Sequence, residues 1–437
     1  MSDYPTNLNL KKLERLERWI KLRAEQGVGN GPLQRVVDEI HRFIDQKVDE
    51  VTLLPGDREL AAREPNGLDE IHGLRPDGSR RIWDSIPEDE YHRRLSGAIN
   101  GRFAGCVLGS PVELNTPEDM EEWASYIGDP FPPTDYWSRV DRPSATRYAV
   151  SLREHFARCN IKHVPSDDDI AYTILGLLII EEFGPGFSTA DVATAWQRYL
   201  RPDCIYTAER ITFDNLKRGV NVASAGDEGN RDSELIGAGI RCDPWAYVAP
   251  GWPEKAAELA WRDAVLSHRR SGIYGAMYFA AAISAAFTVD DPVEALWIGL
   301  EEIPAACRLA QEIRWALQEA PSLGDFRQAH VAVSERFSGM NKVHTINNAV
   351  LTVWGITIGA GDYTRTVSET VAMGYDNDCT AATAGSLVGA AIGIDRVPER
   401  WYELFNNQVK VFLNGANDHN LDDLVERFAV QARGVFA

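Results

Sequence analysis

The sequence predicts an all-α protein, and three observations carry that expectation. Apolar residues recur at three- and four-residue steps through most of the chain, which is the period of an amphipathic helix. Alternating runs bounded by hairpin turns are almost absent. Small residues fall at helical spacing in "GAINGRFAGCVLG", "GIYGAMYFAAAISAAF" and "AATAGSLVGAAIGI", a texture that lets helices approach closely. The expected architecture is a compact multi-helix domain over residues 91–437, preceded by an N-terminal helical extension and loop over residues 1–90.

The elements follow in order. Leu13, Leu16 and Ile20 mark a first helix; Leu33, Val37, Ile40, Ile44 and Val48 mark a second. "GVGNGP" separates them, with Pro32 where a helix can start. Their apolar stripes need a partner surface, since isolated amphipathic helices are marginal in water. The outside of the core or a homo-oligomer formed through these helices would supply one. From Thr52 to Ile82 the chain is polar and loop-rich, with "PGD", "EPNG" and "RPDGS". The first small-residue helix opens the body. "YIGDPFPPTDYWSRVDRPSATRY" then reads as an inserted loop, and "SDDDIAYTILGLLIIEEFG" as an apolar helix behind three acids. After "DVATAWQRYL" comes a second long loop, "NVASAGDEGNRDSELIGAGIRCDPWAYVAPGWP". "PEKAAELAWRDAVLSH", "PVEALWIGLEEI", "DFRQAHVAVSERF", "NNAVLTVWGITIG", "RTVSETVAMG" and "LDDLVERFAVQAR" complete the helices. Long structureless loops inside a compact domain are usually functional.

Composition narrows the function. Lys and Arg total 45 against 65 Asp and Glu, a net charge of −20 over 437 residues. That balance argues against a nucleic-acid partner, which needs cations to neutralise phosphates. A nucleotide-like small molecule remains open. Six scattered cysteines without a C-x-x-C pair form neither a zinc knuckle nor a disulfide framework. The polar N-terminus lacks an apolar signal core, and no apolar run reaches spanning length. The expectation is a cytoplasmic protein with no membrane partner.

Two acidic clusters carry the chemistry. Ser166, Asp167, Asp168 and Asp169 stand directly before an apolar helix. Helix capping explains one carboxylate. Three need water, Arg or a cation to offset their repulsion. Asp376 and Asp378, in "GYDNDCTAATAG", precede another small-residue helix. Hard cations such as Mg²⁺ and Mn²⁺ take oxygen ligands of this kind. The two clusters are expected to converge on one point.

These pieces resemble the ADP-ribosylglycohydrolase family, the group that includes the dinitrogenase-reductase-activating glycohydrolase. The family's small-residue helix ending in a "G-x-P-V-E"-like stretch is similar to "INGRFAGCVLGSPVE". Its "[ST]-D-D" motif resembles "SDDDIAYTILGL", and its "G-G-D-[TN]-D-[TC]-x-A-A-x-x-G" resembles "GYDNDCTAATAG". A weaker match is "SHRRSGIYGAM", against a central "[ST]-H" before a Gly/Ala helix. The resemblance spans roughly residues 90 to 400 and implies an all-α ADP-ribosylglycohydrolase-like domain with two divalent cations, Mg²⁺ or Mn²⁺. Carried over by position, it implies Ser166, Asp167, Asp168, Asp376, Asp378 and Cys379 as metal ligands. Glu113, Asp168 and Asp376 become the catalytic candidates, with Glu113 a ligand or the carboxylate that handles protons. The implied activity is hydrolysis of an N- or O-glycosidic bond to ribose in an ADP-ribosyl or nucleosidic substrate. The chain departs from the family at Cys106 and Ser110, where many members have Asp and a small residue, and at Cys379, where Thr is common.

The remaining candidates each have a structural and a functional reading. Gly237, Gly239 and Arg241 form a plain turn or meet a diphosphate. His268, with Tyr274 and Gly275 on the helix behind it, caps a helix or touches sugar or phosphate. His344, beside Asn347 and Asn348, caps a helix or forms a polar pocket wall. Tyr136, Trp137, Trp245 and Tyr247 stack on a base or pin their own loops. Two alternatives to ADP-ribosyl hydrolysis stay open: a glycosidase for another small N-glycoside or secondary-metabolite nucleoside, and a non-catalytic ADP-ribose-binding or scaffold protein.

Overall fold

A computed structural model describes residues 10–140 and 153–437. Contacts divide the chain into two compact units, Met1–Ala62 and Arg63–Ala437. In the first, helix Leu10–Glu25 is followed by helix Asn30–Thr52, and neither buries a single side chain. Leu16, Ile20, Leu33, Val37 and Ile40 are half-buried.

The second unit is built on one antiparallel helix pair, Glu88–Gly109 against Asn377–Ile392. Gly97 meets Gly389, Gly101 meets Gly385, Gly105 meets Ala381 and Gly109 meets Asp378. Four-residue steps along the first helix meet steps of four, four and three residues back along the second, so the contact is a seam of backbone on backbone. A methyl group at Gly105 would stand 2.6 Å from the Ala381 carbonyl carbon, and one at Gly109 2.6 Å from the Asp378 nitrogen. Only glycine permits this approach. Tyr363 crosses the seam, its hydroxyl donating to the Gly101 carbonyl at 2.8 Å.

Helices Ser271–Ala286 and Thr345–Gly359 are apolar and small-residue all round, the composition of a helix with no solvent face. Every residue of the first is buried, as is nearly every residue of the second. Among the described residues the strands are two three-residue segments, Gln408–Lys410 and Asp418–Asn420, paired antiparallel with Val409 opposite His419. Val409 also bridges in parallel to Val164, and this hydrogen-bonding positions the segment leading to Ser166.

The polar stretch before the core is tied to it. Glu64 pairs with Arg270 and accepts from the Arg308 backbone at 2.7 Å. Arg75 and Arg80 hold the buried Glu302 at 2.5 and 2.9 Å. The second long loop is largely ordered into helix Val222–Ala225, a 3₁₀ turn Ile236–Arg241 and helix Asp243–Val248. Of the first, residues 141–148 lie outside the described residues. The four loop aromatics proposed as base-stacking partners are all buried. Tyr136 donates to the Trp401 carbonyl, and Trp137 donates to that of Leu108 at 3.0 Å. Trp245 stacks on Phe187, and the Tyr247 hydroxyl lies 2.7 Å from Ser386. They pin their loops to the core and have no open face for a ligand.

Candidate active site

Three chain segments far apart in sequence end at one place. Helix Glu88–Gly109 runs into a 3₁₀ turn, Ser110–Val112, and delivers Glu113. Helix Asp168–Phe183 begins there with Asp167 as its N-cap, and Asn377–Ile392 begins there with Asp376. Two helix N-termini thus point their positive ends at the same acids.

The turns are tied together. Gly374 and Tyr375 both take positive φ, 76° and 62°, and Leu114 does so at 62°. Non-glycine residues held there are strained, and such strain gathers at functional sites. The Leu114 N–H donates to the Tyr375 carbonyl at 2.9 Å, joining the turn after Glu113 to the turn before Asp376. Asn348, fully buried, accepts from the Asp376 N–H at 3.2 Å.

The carboxylates are crowded. Oxygens of Glu113, Asp376 and Asp378 lie within 4.8 Å of one another. So do ligand atoms of Asp169, Asp378 and Cys379, and of Cys106, Asp167 and Asp169. Asp167 serves as the cap, accepting from the Asp169 N–H at 3.2 Å, and Ser110 donates to its other oxygen at 2.5 Å. Burial, then repulsion from Asp167 and Asp169, pushes the Asp168 carboxyl well up. Burial, then Glu113 and Asp376, does the same to Asp378. Burial raises Asp376 to about 6. Asp378 Oδ1 is buried with no hydrogen-bond partner. Like charges this close need a counter-charge, and an all-carboxylate set with an unpartnered oxygen fits a hard divalent cation. The acids are therefore able to hold metal.

Asp169 belongs to the first acidic cluster but was given no ligand or catalytic role from the sequence, and it is the most enclosed acid of the group. Arg102, also fully buried, pairs with it at 3.0 Å and with Asp243 at 2.7 Å. Arg102 also donates to Thr173 Oγ1 at 2.7 Å and to the Ile240 carbonyl at 2.6 Å. Burial works against the Arg102 charge, but Asp243 and Asp169 outweigh it and keep the guanidinium cationic. Cys379 donates its thiol to Asp169 Oδ2 at 3.1 Å. An arginine amid "GRFAG" on a core-spaced helix was the available signal, because a buried guanidinium requires carboxylate partners.

The acids line two cavities. One, of about 120 Å³, is lined by Glu113, Asp168, Asp376, Asp378 and Cys379 together with Tyr172, Ile236, Gly237 and Val343. The other, of about 470 Å³, shares Glu113, Asp168, Asp378 and Tyr206 and adds Arg153, His155, Phe156, Ser166, Asp167 and Phe412. Arg153 donates to Glu113 Oε2 at 2.8 Å. The Ser166 hydroxyl donates to the Lys410 carbonyl at 2.9 Å and so anchors the segment to the hairpin.

Of the expected ligand contacts, Gly237 alone lines either cavity. A side chain there would collide with the Glu209 carboxylate. Gly239 is buried in the same 3₁₀ turn. Arg241 is engaged below it by Glu209 and, at 2.8 Å, by Asp263, with its guanidinium over Trp196. His268 is fully buried beside Ser267 at 2.8 Å, and burial drives its pKa well down, leaving it neutral. Tyr274 donates to the Pro65 carbonyl at 2.5 Å, and Gly275 packs on Thr345. His344 caps its helix, Nδ1 accepting from the Ile346 N–H at 3.1 Å, and burial lowers it to about 4. Thr345, next to it, donates to the Glu234 and Leu235 carbonyls at 2.9 Å. These groups fix the cavity wall from behind.

Comparisons with known proteins identify the family and the fold. The chain is 24% identical over 346 residues to the human "ADP-ribosylhydrolase ARH3", covering 71% of this chain and 88% of that protein. It superposes on a solved "ADP-ribosylglycohydrolase-related protein complex" chain with a TM-score of 0.53 at 19% identity, covering 80% of this chain and 100% of that one; this likeness concerns the fold. A profile described as ADP-ribosylglycohydrolase matches residues 87–434. The chain belongs to the ADP-ribosylglycohydrolase family and is a hydrolase acting on ADP-ribose glycosidic bonds.

Proposed function

We propose that this hydrolase uses divalent cations, Mg²⁺ or Mn²⁺, held by its acidic cluster, to cleave the N- or O-glycosidic bond joining an ADP-ribosyl group to its acceptor. The observation that supports this reading most is the convergence of Glu113, Asp168, Asp376 and Asp378 on the wall of one cavity, from segments more than fifty residues apart. Asp167 and Asp168 would hold the cations from one side, Asp376 and Asp378 from the other. Cations bound there would supply Lewis acidity toward ribose hydroxyls and water.

The remaining work falls to the chain itself. Arg153 occupies Glu113 Oε2, which fixes the carboxylate and leaves Oε1 to accept a proton from the attacking water. That water adds to the anomeric carbon as the bond to the acceptor breaks, and the proton passes to the departing acceptor. The products are ADP-ribose and the protonated acceptor. Tyr172, Ile236, Gly237 and Val343 complete the lining of the smaller cavity.

The test is release of free ADP-ribose from peptides carrying it on serine oxygen or on arginine nitrogen, before and after chelation. Release that stops in chelator and returns with Mg²⁺ or Mn²⁺ is expected for at least one linkage. Turnover in chelator would overturn the metal assignment. Cleavage of a small N-glycoside, with neither peptide attacked, would move the substrate to that class.

A further inference from the structure

We infer that the N-terminal helical hairpin is a self-association surface, and that its occupant is the same hairpin of a second copy of this chain. Of the nineteen large apolar side chains that stand exposed among the described residues, eleven lie between Leu10 and Leu54. Trp19 is 57% exposed, Phe43 56% and Val51 64%. Single exposed apolar residues are ordinary, but a contiguous set marks an interaction site.

The geometry shows why the hairpin cannot satisfy itself. At about 100° per residue, Leu10, Leu13, Leu16, Trp19, Ile20 and Leu22 cover an arc of roughly 240° on their helix. One neighbouring helix covers much less than that. Among the described residues the partner helix is also longer, 23 residues against 16, or about 35 Å against 24 Å at the usual rise. Leu33, Val37 and Ile40 are half-buried, while Ile44, Val48 and Val51, on the same stripe, are exposed. The stripe therefore continues, uncovered, beyond its half-buried part. Two such hairpins packed as a four-helix bundle would bury both the wide arc and the uncovered stripe.

Charge identifies the occupant as a second copy. Helix Leu10–Glu25 carries six Lys or Arg against three Glu, a net of +3. Helix Asn30–Thr52 carries three Lys or Arg against five Asp or Glu, a net of −2. Among the described residues the ion pairs of these helices are Lys21–Glu17 and Lys47–Glu50, each within one helix. The opposite charges of the two helices are therefore not paired with each other inside the hairpin. Laying the basic helix of one copy beside the acidic helix of the other matches both charge and apolar surface, in the two-fold arrangement commonest for homo-oligomers.

Sedimentation velocity on the full chain tests this. The wild type should sediment with about twice the mass of one chain. A basic-to-acidic variant (Lys11→Glu, Lys12→Glu, Arg15→Glu) and an acidic-to-basic variant (Asp45→Lys, Asp49→Lys, Glu50→Lys) should each fall to the mass of one chain, with ADP-ribose release unchanged. Mixing the two variants should restore the doubled mass. Phe43→Ser with Val48→Ser should also give single chains, without altering charge. A wild type that stays a single chain at every concentration overturns the inference. So does a mixture that stays dissociated, since charge pairing within one hairpin cannot be rescued by a second chain.

Discussion

Gly109→Ala tests how the fold builds the site. Gly109 is the last contact of the glycine seam, and its neighbour there is Asp378 itself. An added methyl would stand 2.6 Å from both the Asn377 carbonyl oxygen and the Asp378 nitrogen. Ordinary contact needs about 3.5 Å, so the two segments must part by roughly 1 Å. Overpacking of this kind costs about 1–3 kcal/mol of stability. The same displacement moves the Asp378 carboxylate, and a misplacement near 1 Å can lower turnover about 100-fold. Gly97→Ala is the control. Its methyl would press on the Gly389 carbonyl and lie 2.9 Å from the Gly393 carbon, about 18 Å away along the helix. Urea unfolding and ADP-ribose release, measured on both variants, separate the effects. Both should lose comparable stability, while only Gly109→Ala should lose turnover far beyond its loss of folded protein. Equal losses of turnover would refute the claim that the end of the seam positions Asp378.

Two further substitutions address the buried acids. Arg102→Met leaves Asp169 and Asp243 buried without their shared cation, and urea unfolding should show a loss of about 3–5 kcal/mol; a variant as stable as the wild type would mean that the pair is not needed to hold the acids. Cys379→Ala should leave Mg²⁺ affinity, measured by titration calorimetry, within about threefold, because the thiol donates to Asp169. Cys379→Thr keeps a donor at that position and should match or improve on the wild type, whereas a tenfold loss in the Ala variant would make the sulfur a ligand.

Much of this arrangement was legible in the sequence. Glycines at 97, 101, 105 and 109 state a close helix contact by their spacing, and the second small-residue helix supplies the matching face. Acids placed directly before apolar helices imply convergence, since each cluster needs a counter-charge. The Arg102–Asp169–Asp243 network was not legible, because its members lie 67 and 141 positions apart and carry no local pattern. The same holds for the hairpin Gln408–Asn420, whose strands are too short to show alternation. The sequence left the loop aromatics open between base stacking and pinning their own loops, and tertiary contacts settle them as buried pins. Arg241 and His268 had the right chemistry for a diphosphate or sugar, yet Glu209, Asp263 and Ser267 already engage them, and only the folded chain places those groups there.

The central claim is that hydrolysis takes place at the acids gathered between the two helix N-termini. Asp378→Asn tests it most directly, since it removes one charge and keeps the shape of the side chain. Single-turnover release of ADP-ribose from a serine- or arginine-linked peptide should be measured at saturating Mg²⁺, with circular dichroism confirming the fold. The account predicts a loss of about 100- to 1,000-fold, the scale of a removed electrostatic stabiliser, with unfolding unchanged or improved, because burial and its acidic neighbours already disfavour this charge. Release at the wild-type rate would contradict it.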